Sequence, residues 1–144
     1  KVLNISQLKA DKRLSHSLQI KENDPVVLVE RLRCVNDICV SLQRSHMACA
    51  SVGDIRFEEE NLETGSLYQL LDEKANLVPM YLDERFRAVQ CPDVVAKHFE
   101  INPGAPVLYI TRVAYTLNDV PIEYCESYEN SDVNGVWVKS VHIE

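Results

Sequence analysis

Residues 24–45 read DPVVLVERLRCVNDICVSLQRS, and residues 105–127 read APVLYITRVAYTLNDVPIEYCES. Each stretch opens at a proline, runs through β-branched and aliphatic residues with an arginine inside the run, breaks at Asn-Asp and resumes as a second apolar run. Asn-Asp between two such runs signals a hairpin, because both residues tolerate the left-handed backbone that tight hairpin turns demand. The first stretch predicts strands over Pro25–Val35 and Ile38–His46 joined at Asn36 and Asp37. The second predicts strands over Val107–Leu117 and Val120–Tyr128 joined at Asn118 and Asp119.

The two stretches also align with each other. Ile20, Pro25, Val26 and Arg31 match Ile101, Pro106, Val107 and Arg112 at an offset of 81 (101 − 20), and after one extra residue Asn36, Asp37 and Ser45 match Asn118, Asp119 and Ser127 at 82 (118 − 36). A helical pattern precedes each hairpin. Residues 10–19 place Leu14 and Leu18 one turn apart, and CPDVVAKHFEI starts on Pro92 and Asp93 and ends at the NPGAP loop, 102–106. An internal repeat of helix, proline loop, strand, turn and strand follows. Neither unit can bury an apolar face alone, so the hairpins are expected to join one antiparallel sheet with the helices on one side, an α+β fold.

Three further elements are predicted outside the repeat. Residues 63–76, ETGSLYQLLDEKAN, offer Thr64 or Ser66 as a helix N-cap, Leu67, Leu70 and Leu71 on one face, and Asn76 as a stop. VPMYLDERFRAVQ, 78–90, alternates Met80, Leu82, Phe86 and Ala88 with polar neighbours and reads as a strand. A last strand is expected around Val136–Ile143.

Composition bounds the function. The 144 residues are 46% hydrophobic and 26% charged, which describes one ordinary globular domain, and no apolar run approaches the ~20 residues of a membrane span. A net charge of −7 argues against this chain binding nucleic acid by itself, since phosphate neutralisation needs clustered Lys and Arg. Five cysteines without a CxxC pair suit a reducing, cytoplasmic setting and are expected to be buried free thiols. Cys34 and Cys39 would face each other across the Asn-Asp turn, which raises a redox role. His46 and Cys49 lack a third ligand in sequence, so no metal or cofactor is expected. Trp137 suits a core or a dimer interface.

Side chains alternate along a strand, so Val27, Val29, Arg31 and Arg33 share one face. An apolar row thus ends in two guanidiniums. Either they pair with surface carboxylates, or they form an anion pocket, because guanidinium forks match phosphate or carboxylate oxygens in pairs.

DPVVLVERLRCVND, GSLYQLLDEK and NPGAPVLYITRVAYTLNDVPIEYCES, in that order, resemble the UTRA effector domain of GntR-family bacterial regulators of the HutC subfamily. The resemblance implies a chorismate-lyase-like fold over residues 1–144, with internal pseudo-symmetry, forming a homodimer. It implies a small-molecule effector, and operator DNA reached only through a winged helix-turn-helix domain that precedes this one. The non-Met start at Lys1 fits that expectation. It further implies ligand contacts from Arg31 and Arg33, from Ser66 and Tyr68 at the helix start, and from Gln43, Glu123 and Tyr128. Two positions depart from the family pattern: Gln43 stands for a glutamate, and Glu129 stands where a tyrosine is expected, with Tyr128 one place early. The same fold also carries a pyruvate-eliminating lyase, in which Arg31 or Arg33 would hold a carboxylate and Glu123 or Glu126 would act as acid. Arg112, alone in its strand, is expected to serve stability more than binding.

Overall fold

The computed structural model describes residues 1–143. Its chain runs β1 (Val2–Lys9), α1 (Lys12–Leu18), β2 (Pro25–Val35), β3 (Ile38–Ala48), α2 (Cys49–Val52), a 3-10 turn (Phe57–Glu59), α3 (Leu67–Ala75), β4 (Tyr81–Gln90), α4 (Asp93–Phe99), β5 (Pro106–Tyr115) and β6 (Pro121–Glu129). The six strands form one sheet in the order β1-β2-β3-β6-β5-β4. Every neighbouring pair is antiparallel.

That order is two copies of strand-helix-hairpin, β1-α1-β2-β3 and β4-α4-β5-β6, meeting along β3 and β6. The repeat reaches individual hydrogen bonds. Ala10 N donates to Asp24 O at 2.9 Å, and its counterpart Cys91 N donates to Ala105 O at 2.8 Å. Asn23 N donates to Ala10 O at 2.8 Å, and Gly104 N to Cys91 O at 3.0 Å. Gln19 and Glu100 each end a helix in the left-handed region, at φ 53° and 54°. Asn23, at φ 69°, corresponds to Gly104, at φ 80°.

The extra residue that shifts the offset lies in the turns. Asn36 and Asp37 both have positive φ, giving the two-residue hairpin turn that matches strand twist. In the second hairpin Asp119 alone is left-handed, and the loop is longer, closed by Thr116 N donating to Val120 O at 2.9 Å.

Helices cover both faces of the sheet, not one. Even-numbered β2 residues face α1 and α4: Val26 packs with Leu14 and Leu18, and Leu32 with Val95 and Phe99. Odd-numbered Val29 faces α3 and packs with Leu67, Leu70 and Leu71. A sheet with two apolar faces must be covered twice, and the segment joining the repeats supplies the second cover.

Other expectations are corrected as well. Residues 136–143 carry no strand, and Trp137 is 84% exposed, so it is not core. β1, α2 and the 3-10 turn were not foreseen. Cys34 and Cys39 are joined by a disulfide, with Cα atoms 3.9 Å apart. Neither is buried, because the pair sits beside the turn at the hairpin tip. Cys91 and Cys125 are buried free thiols as expected, whereas Cys49 is only half-buried.

Candidate functional site

The start of α3 is set by two small residues. Ser66 Oγ accepts from Gln69 N at 3.2 Å, capping the helix, and Asn76 ends it at φ 54°. Gly65 allows the loop to close on itself: a Cβ there would lie 2.2 Å from Asn61 O. That close approach leaves the Gly65 carbonyl free to accept from Arg31 Nη1 at 3.3 Å, so the loop is tied to β2.

Arg31, Ser66, Tyr68, Arg112 and Glu123 meet around a cavity of about 120 Å³ between α3 and the sheet. Arg31 on β2 and Arg112 on β5 are equivalent positions of the repeat, and both reach inward toward β6. Glu123, 1% exposed, accepts from the Tyr68 hydroxyl at 2.5 Å and lies 3.6 Å from Arg112 Nε. The Arg112 guanidinium also sits over the Tyr68 ring, 5.7 Å from its centroid.

Two guanidiniums and one carboxylate line the cavity itself. Burial lowers the Arg31 pKa and outweighs the support of Glu123, while Arg112 nearby lowers it further. Burial also opposes the charge on Arg112, but Cys125, Glu123, Tyr68 and Glu84 together raise its pKa above the ordinary value. Tyr68 is raised by burial and then by Glu123, so it stays a neutral donor. Arg112 Nε is buried and has no hydrogen-bond partner among the described residues. An unmet buried donor costs about 1–3 kcal/mol, which an arriving acceptor recovers.

Arg33 and Gln43 belong to an adjoining cavity of about 320 Å³, which also includes Arg31, Glu63, Thr64 and Gly65. Arg31 is common to both spaces. Six of the seven residues expected at a ligand site therefore lie around two neighbouring cavities on the α3 face. Tyr128 does not: it points to the opposite face and lies against Tyr109, with ring centroids 4.9 Å apart and the planes tilted by 39°. Moving one position along a strand reverses the face, and Glu129 takes the α3 side instead. Its carboxylate accepts from Ser41 Oγ at 2.9 Å and Ser127 Oγ at 2.6 Å.

Arg112, expected to serve stability more than binding, also lines the cavity. The signal was its match to Arg31 at the offset of 81, which places both beside the repeat's central strands. Cys125 borders this region, but burial and then Glu123 push its thiol up to about 12, leaving it protonated and a poor nucleophile. No group of three metal-ligating side chains exists among the described residues. Among the described residues, no helix is long and apolar enough to cross a membrane.

A protein-family model described as the UTRA domain matches residues 1–133. No curated protein matches the chain. Among solved structures, the ligand-binding domain of a protein assigned to the GntR family of transcriptional regulators in Bordetella bronchiseptica superposes with a TM-score of 0.91 at 21% identity, over 99% of this chain and 89% of that one. A GntR-family regulator from Enterococcus faecalis V583 gives 0.85 at 20% identity, over 97% and 99%. PhnF from Mycobacterium smegmatis gives 0.88 at 19% identity, and there this chain spans 62% of the longer protein. At these identities the superpositions establish the fold.

Proposed function

Because this chain belongs to the UTRA domain family, we propose that it is the effector-sensing domain of a bacterial transcriptional regulator of the GntR family, HutC subfamily, and that it binds a small anionic metabolite. The effector is a sugar phosphate or a carboxylate, held by Arg31, Arg33 and Arg112 with Ser66, Tyr68, Gln43 and Glu123 around it. The observation that carries this reading is the buried Arg112 Nε without a hydrogen-bond partner among the described residues, beside the half-buried Arg31 guanidinium in one cavity. A helix N-terminus adjoins it, and its free N–H groups favour negative charge.

The chain works as a homodimer in the cytoplasm and reaches operator DNA only through an attached winged helix-turn-helix domain. Its own net charge of −7 suits that division of labour. Ligand binding need favour one arrangement of the attached domains by only ~1–3 kcal/mol to act as a switch. Sensing is favoured over catalysis by membership of the UTRA domain family.

The test is a thermal-shift screen of sugar phosphates, phosphonates and dicarboxylates, followed by calorimetry on the best ligand. A stabilising anion whose affinity drops at least tenfold in Arg31→Ala is expected. If no anion stabilises the chain, or Arg31→Ala binds it unchanged, the reading is lost.

A further inference from the structure

A second groove lies on the opposite face of the sheet, between α1 and the outer strands β4 and β5, with a volume of about 500 Å³. Arg13 and His16 enter it from α1, Arg85 and Arg87 from β4, and Tyr109 and Tyr124 from β5 and β6. Its volume falls within the usual range of small-molecule sites.

One carboxylate, Asp83, lines the space, and a second, Glu126, is engaged by two residues of its wall. Glu126 is held by Arg13 Nη2 at 2.9 Å and by the Tyr109 hydroxyl at 2.8 Å. Arg13 also lies over the Tyr124 ring, 5.5 Å from its centroid, so this side of the groove is fixed in place. Asp83 lines the space beside Arg85. Neither Arg85 nor Arg87 has an ion pair among the described residues. In an acidic chain, two adjacent free guanidiniums facing a concave, tyrosine-walled space are an unusual local excess of positive charge.

The internal repeat shows that the fold does not require these groups. At the equivalent positions of the other half, Arg13 is replaced by Val94, Arg85 by Asn4, Arg87 by Ser6, Tyr109 by Leu28 and Tyr124 by Leu42. Of these groups only His16 has a basic counterpart, Lys97; Arg112, which borders both this groove and the α3-face cavity, corresponds to Arg31. There α4 packs on Leu32, Leu42 and Leu3 as an apolar contact. The same architecture thus closes on a greasy core in one half and opens on an arginine-lined groove in the other.

We propose that this groove is a second anion site, distinct from the cavity under α3, for a small ligand carrying two phosphate-like groups. Arg85 and Arg87 are alternate residues of one strand, so their side chains leave the sheet about 7 Å apart on the same face. That spacing engages two anionic groups rather than one. Each guanidinium offers a fork of donors to phosphate oxygens, and the Tyr109 and Tyr124 rings wall the body of the ligand.

Inorganic pyrophosphate is the probe, titrated calorimetrically at low salt into Arg31→Ala protein, in which the α3-face cavity is disabled. Binding is expected to persist in Arg31→Ala and to weaken at least tenfold when Arg85→Ala and Arg87→Ala are added. The Nε–Hε NMR signals of Arg85 and Arg87 should shift in step with the titration. Because both side chains are exposed, circular dichroism of the triple variant should match that of the single one. Three results overturn the proposal: no binding to Arg31→Ala, equal binding by the triple variant, or capture of duplex DNA through Arg85 and Arg87 without any response to pyrophosphate.

Discussion

The Tyr68 hydroxyl donates to Glu123 Oε1 across 2.5 Å, joining helix α3 to the central strand β6. The bond ties the longest helix of the connector between the repeats to the middle of the sheet. It also fixes the carboxylate against which Arg112 is set.

Tyr68→Phe removes that donor and keeps the ring. A hydrogen bond to a charged group is worth about 1.5–3 kcal/mol, so urea denaturation should show a midpoint lowered by an equivalent amount. An unchanged midpoint would mean that α3 is held by Leu67, Leu70 and Leu71 alone.

Arg112→Ala should reduce both stability and effector affinity, because the residue faces the cavity and leaves Glu123 without its cation. Breaking a buried pair costs roughly 3–5 kcal/mol, so a folded Arg112→Lys protein is needed to read the affinity change separately. Calorimetry on Arg112→Lys should show about tenfold weaker effector binding, since lysine cannot present a fork. Wild-type affinity in that variant would confine Arg112 to a structural role.

His46 predicts a pH dependence. The ring is buried, and its Nδ1 lies 3.1 Å from the Tyr124 carbonyl, to which the neutral imidazole donates. Burial holds its pKa below the ordinary 6.5 despite support from the Tyr124 carbonyl and Glu126. The unfolded chain therefore takes up this proton at higher pH than the folded one. Stability is full above about pH 6.5 and falls as the pH drops toward the folded-state value. Melting temperatures measured between about pH 8 and pH 5 should show this fall, and His46→Asn should flatten it. Parallel curves for the two proteins would exclude His46 as the source.

Gly65→Ala places a Cβ against the Asn61 carbonyl. The loop must shift, which moves both the Ser66 cap and the carbonyl that Arg31 uses. Hydrogen exchange should quicken at Gln69 and its neighbours while the central strands stay protected. Protection equal to wild type at Gln69 would show that the loop adapts without moving the helix.

Truncation after Val133 addresses the dimer. Val136, Trp137, Val138, Val141 and Ile143 are all exposed, and so are Tyr81, Leu82 and Phe86 on the edge strand β4. An exposed apolar segment and an unpaired strand edge are both surfaces that association would cover. Sedimentation at micromolar concentration should show a dimer for the whole chain and a monomer after truncation. A truncated chain that remains dimeric would place the interface elsewhere.

The fold was legible where the sequence repeats its punctuation. Pro25 and Pro106, the two Asn-Asp turns and the helix preceding each hairpin are local signals, and they survive in both copies. β1 was not legible because VLNISQLK lacks clean alternation: its residues are half-buried on both faces of an edge strand, so neither face is strictly apolar. Residues 136–143 misled for the opposite reason. Their β-branched composition suits a strand, but a strand exists only with a partner, and composition cannot supply one. The second layer of helix was hidden because no local pattern says which face of a sheet a connector will cross. At the candidate site, Arg31, pointed to by strand alternation as well as by family likeness, and Ser66, Tyr68 and Glu123, expected from family likeness, line one cavity, while Tyr128, a single step of register away, lies on the opposite face.

The crossing of the two helices carries one more consequence. α1 from the first repeat packs against Tyr124 and Val113 of the second, and α4 from the second packs against Leu32 and Leu42 of the first. Neither repeat is a closed unit; each completes the other, as two subunits do. The chain is built like a homodimer of half-length peptides made permanent by the connector, and two fragments severed in that connector are expected to find each other and reassemble. A true homodimer must change both of its symmetry-related surfaces whenever its one gene changes. Fusion removes that constraint, and this chain shows the result: one face keeps its paired arginines, Arg31 and Arg112, while the other has let its two halves diverge.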